Sequence, residues 1–159
     1  MKNIAISIFS SLALAIASSA FASDAEGLRI ATEVDRRDQG FGDTTSTMTM
    51  NLFDQYGNTT SRSIRNRTLE RSGEGDMSLV IFDTPKDVKG TAFLSHTKKV
   101  GSDDQWLYLP ALKRVKRIAS SNQAGPFMGS EFAYEDISSQ ELEKYDYKFI
   151  RSEKYQGMD

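Results

Sequence analysis

The period of the apolar residues constrains the fold of this chain more than any other feature of its sequence. Across Thr47–Leu52, methionine and leucine alternate with threonine and asparagine, which is the pattern of a β-strand with one apolar and one polar face. Further segments of strand-like composition follow, separated by turns rich in glycine, asparagine or proline: residues 59–70, 77–82, 91–97, 105–109, 114–119 and 145–153. Short strands at this spacing predict an antiparallel meander.

One helix is predicted before the strands. Ser23 and Glu26 have the spacing of a capping box, in which each side chain accepts a hydrogen bond from the other residue's backbone amide. Apolar residues then follow at helical spacing, namely Leu28, Ala31 and Val34. Gly40 and Gly42 are typical of a helix end. We therefore expect an amphipathic helix at the start of the mature chain.

The first 22 residues have the layout of a secretory signal peptide. Lys2 supplies a positive charge, Ile4–Ala17 is an apolar segment, and Ala20–Ala22 is a small-x-small cleavage signature. The alternative is a membrane anchor, but serines interrupt the apolar segment, which is shorter than the roughly 20 residues a span requires. Cleavage after Ala22 would release residues 23–159 as one domain into the periplasm. The chain has no cysteine, so it has no disulfide and no acceptor for lipid at the cleavage point.

The net charge of the whole chain does not indicate a partner, whereas a local cluster of cations is consistent with one. The formal net charge of −2 gives no strong field that would steer a partner. Four cations cluster near the middle of the chain: Lys113, Arg114, Lys116 and Arg117. They could be the solvated face of a strand, or a basic rim that contacts anionic headgroups or a protein partner. Nucleic acid is not expected, because secretion removes the chain from it.

The residues that catalysis would require are not present in a recognisable pattern. The sequence contains no nucleophile elbow, zinc-binding helix motif or phosphate-binding loop. The only histidine, His96, lies in a predicted strand. Adjacent acids such as Asp103 and Asp104 would point to opposite faces of a strand and would not converge. We expect a protein that is not an enzyme, with no catalytic residue, no metal site and no cofactor.

Methionine and aromatic side chains could line a cavity for an apolar ligand. The same residue types also build an ordinary hydrophobic core, so the sequence leaves both interpretations open. The candidate cavity residues are Met48, Met50, Leu52, Leu79, Ile81, Phe93, Trp106, Tyr108, Phe127 and Phe132.

Two consecutive segments carry a family resemblance. Trp106–Ile118 (WLYLPALKRVKRI) joins an aromatic strand to a basic one, and Gly125–Ile137 (GPFMGSEFAYEDI) is a glycine-punctuated aromatic loop. Both resemble the outer-membrane lipoprotein-sorting-like proteins, relatives of the carrier LolA, over roughly the chain from Gly27 onward. The resemblance implies a mainly β (α+β) fold, with an N-terminal helix and a curved antiparallel sheet that forms a half-open barrel around a cavity under helical lids. Family members continue beyond Asp159, so we expect an N-terminal portion that is incomplete at its C-terminus.

The same resemblance implies a function. It indicates a periplasmic carrier or chaperone that binds lipid or lipidated protein in an apolar cavity, in outer-membrane lipoprotein sorting or lipid transport. Its contact with membranes would be peripheral, with the cations of residues 113–117 at headgroups or at a partner. The alternative is a non-catalytic interaction or sensor module that docks to an inner-membrane transporter of the RND type.

Overall fold

The computed structural model describes the backbone of residues 8–157 and the side chains of residues 23–157. Two compact units make up this part of the chain. One contains the helix and the residues from Tyr145 onward, and the other is Gln39–Lys144. The helix, α1, is Ile8–Asp38. The strands are β1 (Asp43–Phe53), β2 (Thr59–Leu69), β3 (Met77–Thr84), β4 (Ala92–His96), β5 (Asp104–Leu109) and β6 (Arg114–Ile118).

The six strands form one antiparallel sheet in which every strand pairs with its neighbour in sequence. The predicted meander is therefore confirmed for all six strands. Within the described residues β1 and β6 do not pair with each other, so the sheet is open rather than closed into a barrel. The fold is mainly β with one helix, as the sequence and its resemblance predict.

One face of the sheet, the core face, is buried. Because side chains alternate between faces along a strand, Ile64, Val80 and Phe93 lie on this face together with Phe82 and Leu107. The segment after β6, residues 119–144, packs on the core face with its aromatic side chains. Phe127 is 1% exposed and joins the same core cluster, with Tyr134 packed against it. The glycine-punctuated loop is thus the cover of the sheet.

The opposite face, the groove face, is only half-buried. It carries Leu79, Leu94 and Trp106 in one row across β3, β4 and β5. These three central strands therefore carry apolar side chains on both faces, of which only the core face is fully buried.

Glu70 fixes the segment that leads into β1. Its carboxylate accepts hydrogen bonds from the backbone amides of Gly40, at 2.6 Å, and Gly42, at 2.7 Å. These two bonds hold the pKa of Glu70 below its usual range. Both glycines have positive φ, 90° and 72°, which is the left-handed region that glycine adopts readily. The predicted helix end is therefore confirmed, since α1 stops at Asp38, just before this segment.

The predicted capping box at Ser23 is wrong for this structure, because α1 continues through Ser23 without a break. The Ser23 hydroxyl donates instead to the carbonyl of Phe149 at 2.7 Å, and the Phe149 amide donates to the Ser23 carbonyl at 3.0 Å. Gly27 permits this close approach, since a Cβ at that position would lie 2.7 Å from the Phe149 nitrogen.

The predicted strand at residues 145–153 is also wrong. No strand is assigned to these described residues, and the Phe149 amide is bonded to Ser23 in the helix unit rather than to a sheet. In the described part of the chain, the two strands without a second neighbour are β1 and β6.

The predicted signal peptide lies partly outside the described residues. Lys2 belongs to the undescribed residues 1–7, and the side chains of Ala20–Ala22 are undescribed as well. Among the described residues, no helix combines the length and the apolar character that crossing a membrane would require.

Candidate functional site

The groove face holds a cavity of about 430 Å³, here called the groove. Its walls come from four neighbouring strands, and the lining residues are Leu79, Ala92, Leu94, His96, Trp106, Tyr108 and Val115. Strand register brings them together, because Leu94 lies opposite both Leu79 and Trp106, while Tyr108 lies opposite both Ala92 and Val115. The walls are aliphatic and aromatic, so the groove can remove an apolar ligand from water.

One end of the groove is polar. The His96 ring meets the Trp106 ring edge-on, with centroids 5.1 Å apart. Beside them, the Asp104 carboxylate pairs with the Lys98 ammonium at 2.7 Å and also with the Arg117 guanidinium. Hydrogen bonds from Lys98 and Arg117 hold the pKa of Asp104 below its usual range. The groove therefore ends at a charge-paired cluster and is not apolar throughout.

The ten predicted cavity residues fall into separate places. Three of them, Leu79, Trp106 and Tyr108, line the groove, and Ile81 lies on the same face opposite Ala92. Phe93 and Phe127 are buried in the core under the opposite face. The rest do not line the groove either: Met48, Met50 and Leu52 are on the core-face side of β1, and Phe132 is 53% exposed in the loop.

Several groove residues were not predicted from the sequence. Ala92, Leu94 and Val115 are not among the predicted cavity residues, and His96 is predicted only as a residue of a strand. The alternation within residues 91–97 would have placed Ala92, Leu94 and His96 on one face. It could not show that this face is the one with Trp106, because that depends on the pairing register of β4 and β5.

The four clustered cations of residues 113–117 differ in their surroundings. Arg117 is on the groove face and pairs with Asp104. Lys113, Arg114 and Lys116 are exposed, and the ion pairs found among the described residues do not include them. These three are available to an external anionic surface.

The acids do not assemble a reactive centre in the described part of the chain. Asp103 bonds to the Lys144 ammonium and to the Lys98 backbone amide, whereas Asp104 turns to Lys98 and Arg117 side chains. Across the described residues there is no group of three or more acidic, histidine or cysteine side chains that could hold a metal ion.

Comparisons with known proteins identify relatives of this fold. A family model described as that of an uncharacterized-protein-like family matches residues 74–159, more than half of the chain. The crystal structure of a candidate outer membrane lipoprotein-sorting protein domain from Vibrio parahaemolyticus is 55% identical, with a TM-score of 0.81, and the match covers 84% of this chain and 57% of that one. A crystal structure of a DUF1329 family protein from Desulfovibrio piger is 31% identical, with a TM-score of 0.77, covering 85% of this chain and 57% of that one.

Comparison with curated proteins gives no match. The chain spans somewhat more than half the length of each of the two solved proteins that it matches. The open antiparallel sheet, the motifs of residues 106–118 and 125–137, and these matches agree with one another. The chain belongs to the outer-membrane lipoprotein-sorting-like family.

Proposed function

We propose that this chain is a periplasmic carrier or chaperone that binds an acyl chain, from a lipid or from a lipidated protein, in the groove. The observation that carries the proposal is the groove itself, with its volume of about 430 Å³ and its walls of Leu79, Leu94, Trp106 and neighbouring apolar side chains. Ligand cavities in proteins commonly measure about 300–1,000 Å³ and have mostly apolar walls. The polar end at Asp104 could face a headgroup.

One of the relatives also supports a role as a carrier or chaperone. The Vibrio parahaemolyticus domain is described as a candidate for outer membrane lipoprotein sorting, and its structure aligns with most of this chain. A role in lipoprotein sorting or lipid transport would require export, which the signal-peptide layout of residues 1–22 predicts. The groove residues perform binding in this proposal, and none of them is assigned a catalytic step.

Two measurements test the proposal. Protein purified under mild conditions should release lipid on solvent extraction. A long-chain fatty acid added to delipidated protein should then shift the fluorescence emission of Trp106, with saturation at a defined ratio. Trp106 is the only tryptophan in the chain and lines the groove, so the signal reports this site.

A matched pair of variants locates the binding. Leu94→Gln places a polar group in the groove and should weaken fatty-acid binding about tenfold, since a lost apolar contact of that size costs at least about 1.4 kcal/mol. Met48→Gln makes the same kind of change on the other face of the sheet, where Met48 is 42% exposed, and should leave binding unchanged. An unshifted Trp106 spectrum across the titration, from protein shown by circular dichroism to be folded, would remove the groove as the binding site.

The alternative, a module that docks to an inner-membrane RND-type transporter, makes a different prediction for the same experiment. It requires a protein that carries no lipid and co-purifies with a transporter. No feature of the described residues favours that alternative over an apolar ligand.

A further inference from the structure

The connection between β5 and β6 ends in an exposed apolar residue. Pro110–Leu112 forms one turn of 3₁₀ helix, and Lys113 closes it by donating its amide to the Pro110 carbonyl at 3.1 Å. Leu112 is 63% exposed, and Val115, two residues beyond Lys113, is 65% exposed. We call residues 110–115 the tip. A single exposed apolar side chain is common on protein surfaces, whereas one that lies beside a cluster of cations is also found where a protein meets an anionic membrane.

Two cations lie next to Leu112 in the chain. Lys113 and Arg114 follow it directly, and neither takes part in an ion pair found among the described residues. Lys113 adopts φ of 48°, in the left-handed region that glycine would occupy more easily. The chain therefore has a charged side chain at a backbone position that glycine occupies more easily.

The neighbouring connection adds charge of the same sign. In an antiparallel meander, alternate connections lie at the same end of the sheet, so the β3–β4 connection is beside the tip. A Cβ at Gly90 in that connection would lie 3.8 Å from Pro110 Cγ, which shows how close the two are. Lys86 and Lys89 are exposed there, with Asp87 as the exposed acid between them. This end of the sheet therefore presents more positive than negative charge.

We propose that the tip docks the protein on the surface of an anionic phospholipid bilayer. Leu112 would enter the apolar boundary of the membrane, and Lys113, Arg114 and the lysines of the β3–β4 connection would face the phosphates. Polybasic segments next to apolar anchors bind anionic membranes in this way. The tip continues into Val115, which is also a wall of the groove. If the proposed acyl binding is correct, docking brings that end of the groove to the lipid; the docking itself does not depend on it.

Vesicle co-sedimentation of the full chain tests the proposal. The protein should partition onto vesicles of phosphatidylglycerol mixed with phosphatidylcholine, bind pure phosphatidylcholine less well, and be released from the mixed vesicles by salt. Replacing Lys113 and Arg114 together by glutamine should lower the partition constant roughly 30-fold, about fivefold for each cation. Lys113→Gly removes one charge at a backbone position that accepts glycine, so its loss of binding would not come from misfolding. Leu112→Ser should weaken binding about tenfold.

Control variants at the opposite end of the sheet show how much vesicle binding changes when similar residues are replaced away from the tip. Arg67→Gln with Arg71→Gln removes the same charge from two exposed positions near the β2–β3 connection. Val100→Ser removes an 80% exposed apolar side chain from the β4–β5 connection. Every variant keeps the same N-terminal residues, so differences between variants report the tip.

Failure to bind the mixed vesicles overturns the proposal and favours a protein partner for the tip. Equal losses in the tip and control variants overturn it too. Vesicle binding without a fatty-acid signal at Trp106 would contradict the proposed function alone, and a fatty-acid signal without vesicle binding would contradict the docking alone.

Discussion

At the scale of single residues, two phenylalanines of one loop have opposite environments. Phe127 is 1% exposed, and its ring lies 5.3 Å from that of Phe93 and 5.4 Å from that of Tyr134, in both cases edge-on. Phe132 is 53% exposed, although its backbone carbonyl accepts a hydrogen bond from the Phe127 amide at 2.6 Å. The backbone bond sets the turn of the loop, and of these two phenylalanine side chains only that of Phe127 packs on the core face of the sheet.

This difference gives a stability prediction. Phe127→Ala should lower the free energy of unfolding by about 3–5 kcal/mol, because it removes a large side chain from a closely packed aromatic cluster. Phe132→Ala should change that free energy by no more than about 0.5 kcal/mol, as is usual for an exposed position. Urea unfolding followed by Trp106 fluorescence would measure both. Equal losses in the two variants would contradict the assignment of Phe127, and not Phe132, to the core of the protein.

The residues that line the groove could be predicted only in part. In β3, β4 and β5 both faces are apolar, so a pattern of apolar residues cannot say whether Phe93 or Leu94 belongs to the core. The answer depends on the segment of residues 119–144, which folds back on one face and leaves the other half-exposed. Which face this segment covers depends on long-range packing, and the local sequence of β4 does not predict it.

At the scale of elements, strand prediction succeeded where the local signals were strong. β2 follows a turn of Tyr56, Gly57 and Asn58, and its predicted range differs from the observed one by a single residue. The alternation of Thr47–Leu52 located β1 correctly, but the strand begins four residues earlier, at Asp43. The capping box at Ser23 failed because an N-cap residue begins a helix only when the chain before it is not helical, and α1 begins before Ser23. The strand predicted at residues 145–153 is not formed, and the Phe149 amide of this segment is bonded to Ser23 of the helix.

The ion cluster of Lys98, Asp104 and Arg117 predicts a pH dependence of stability. Lys98 and Arg117 keep the pKa of Asp104 below its ordinary value of 3.8. A carboxyl with a lowered pKa stabilises the folded state fully above its ordinary value, and this contribution is lost as the pH falls through the pKa of the folded state. Asp104→Asn should therefore be less stable than the parent at neutral pH, and the difference should shrink at acidic pH.

Urea midpoints of the parent and Asp104→Asn at pH 7 and at pH values below 3.8 would measure this dependence. Asp87→Asn is a suitable control, because it makes the same charge change at an exposed aspartate in the β3–β4 connection. A gap between the parent and Asp104→Asn that stays constant across the pH range would contradict the role of the pair.

At the scale of the whole molecule, processing of the N-terminus is the first test. The signal-peptide layout predicts cleavage after Ala22, so N-terminal sequencing of periplasmic material should read Ser23, Asp24 and Ala25. The bonds between Ser23 and Phe149 use the hydroxyl and carbonyl of Ser23, and both groups remain after cleavage at that position. Recovery of the chain with Met1 in a membrane fraction would contradict the prediction.

The nearest-neighbour order of the sheet has a consequence for how the chain is made. Each strand from β2 onward bonds to the strand that precedes it in sequence. A nascent chain that emerges amino end first therefore offers every new strand a partner that is already outside the ribosome or the translocon. Pairing between near neighbours closes short loops, which costs less entropy and proceeds faster than pairing between distant segments. The sheet can consequently lengthen one hairpin at a time during vectorial emergence, and no strand has to wait unpaired for the end of the chain.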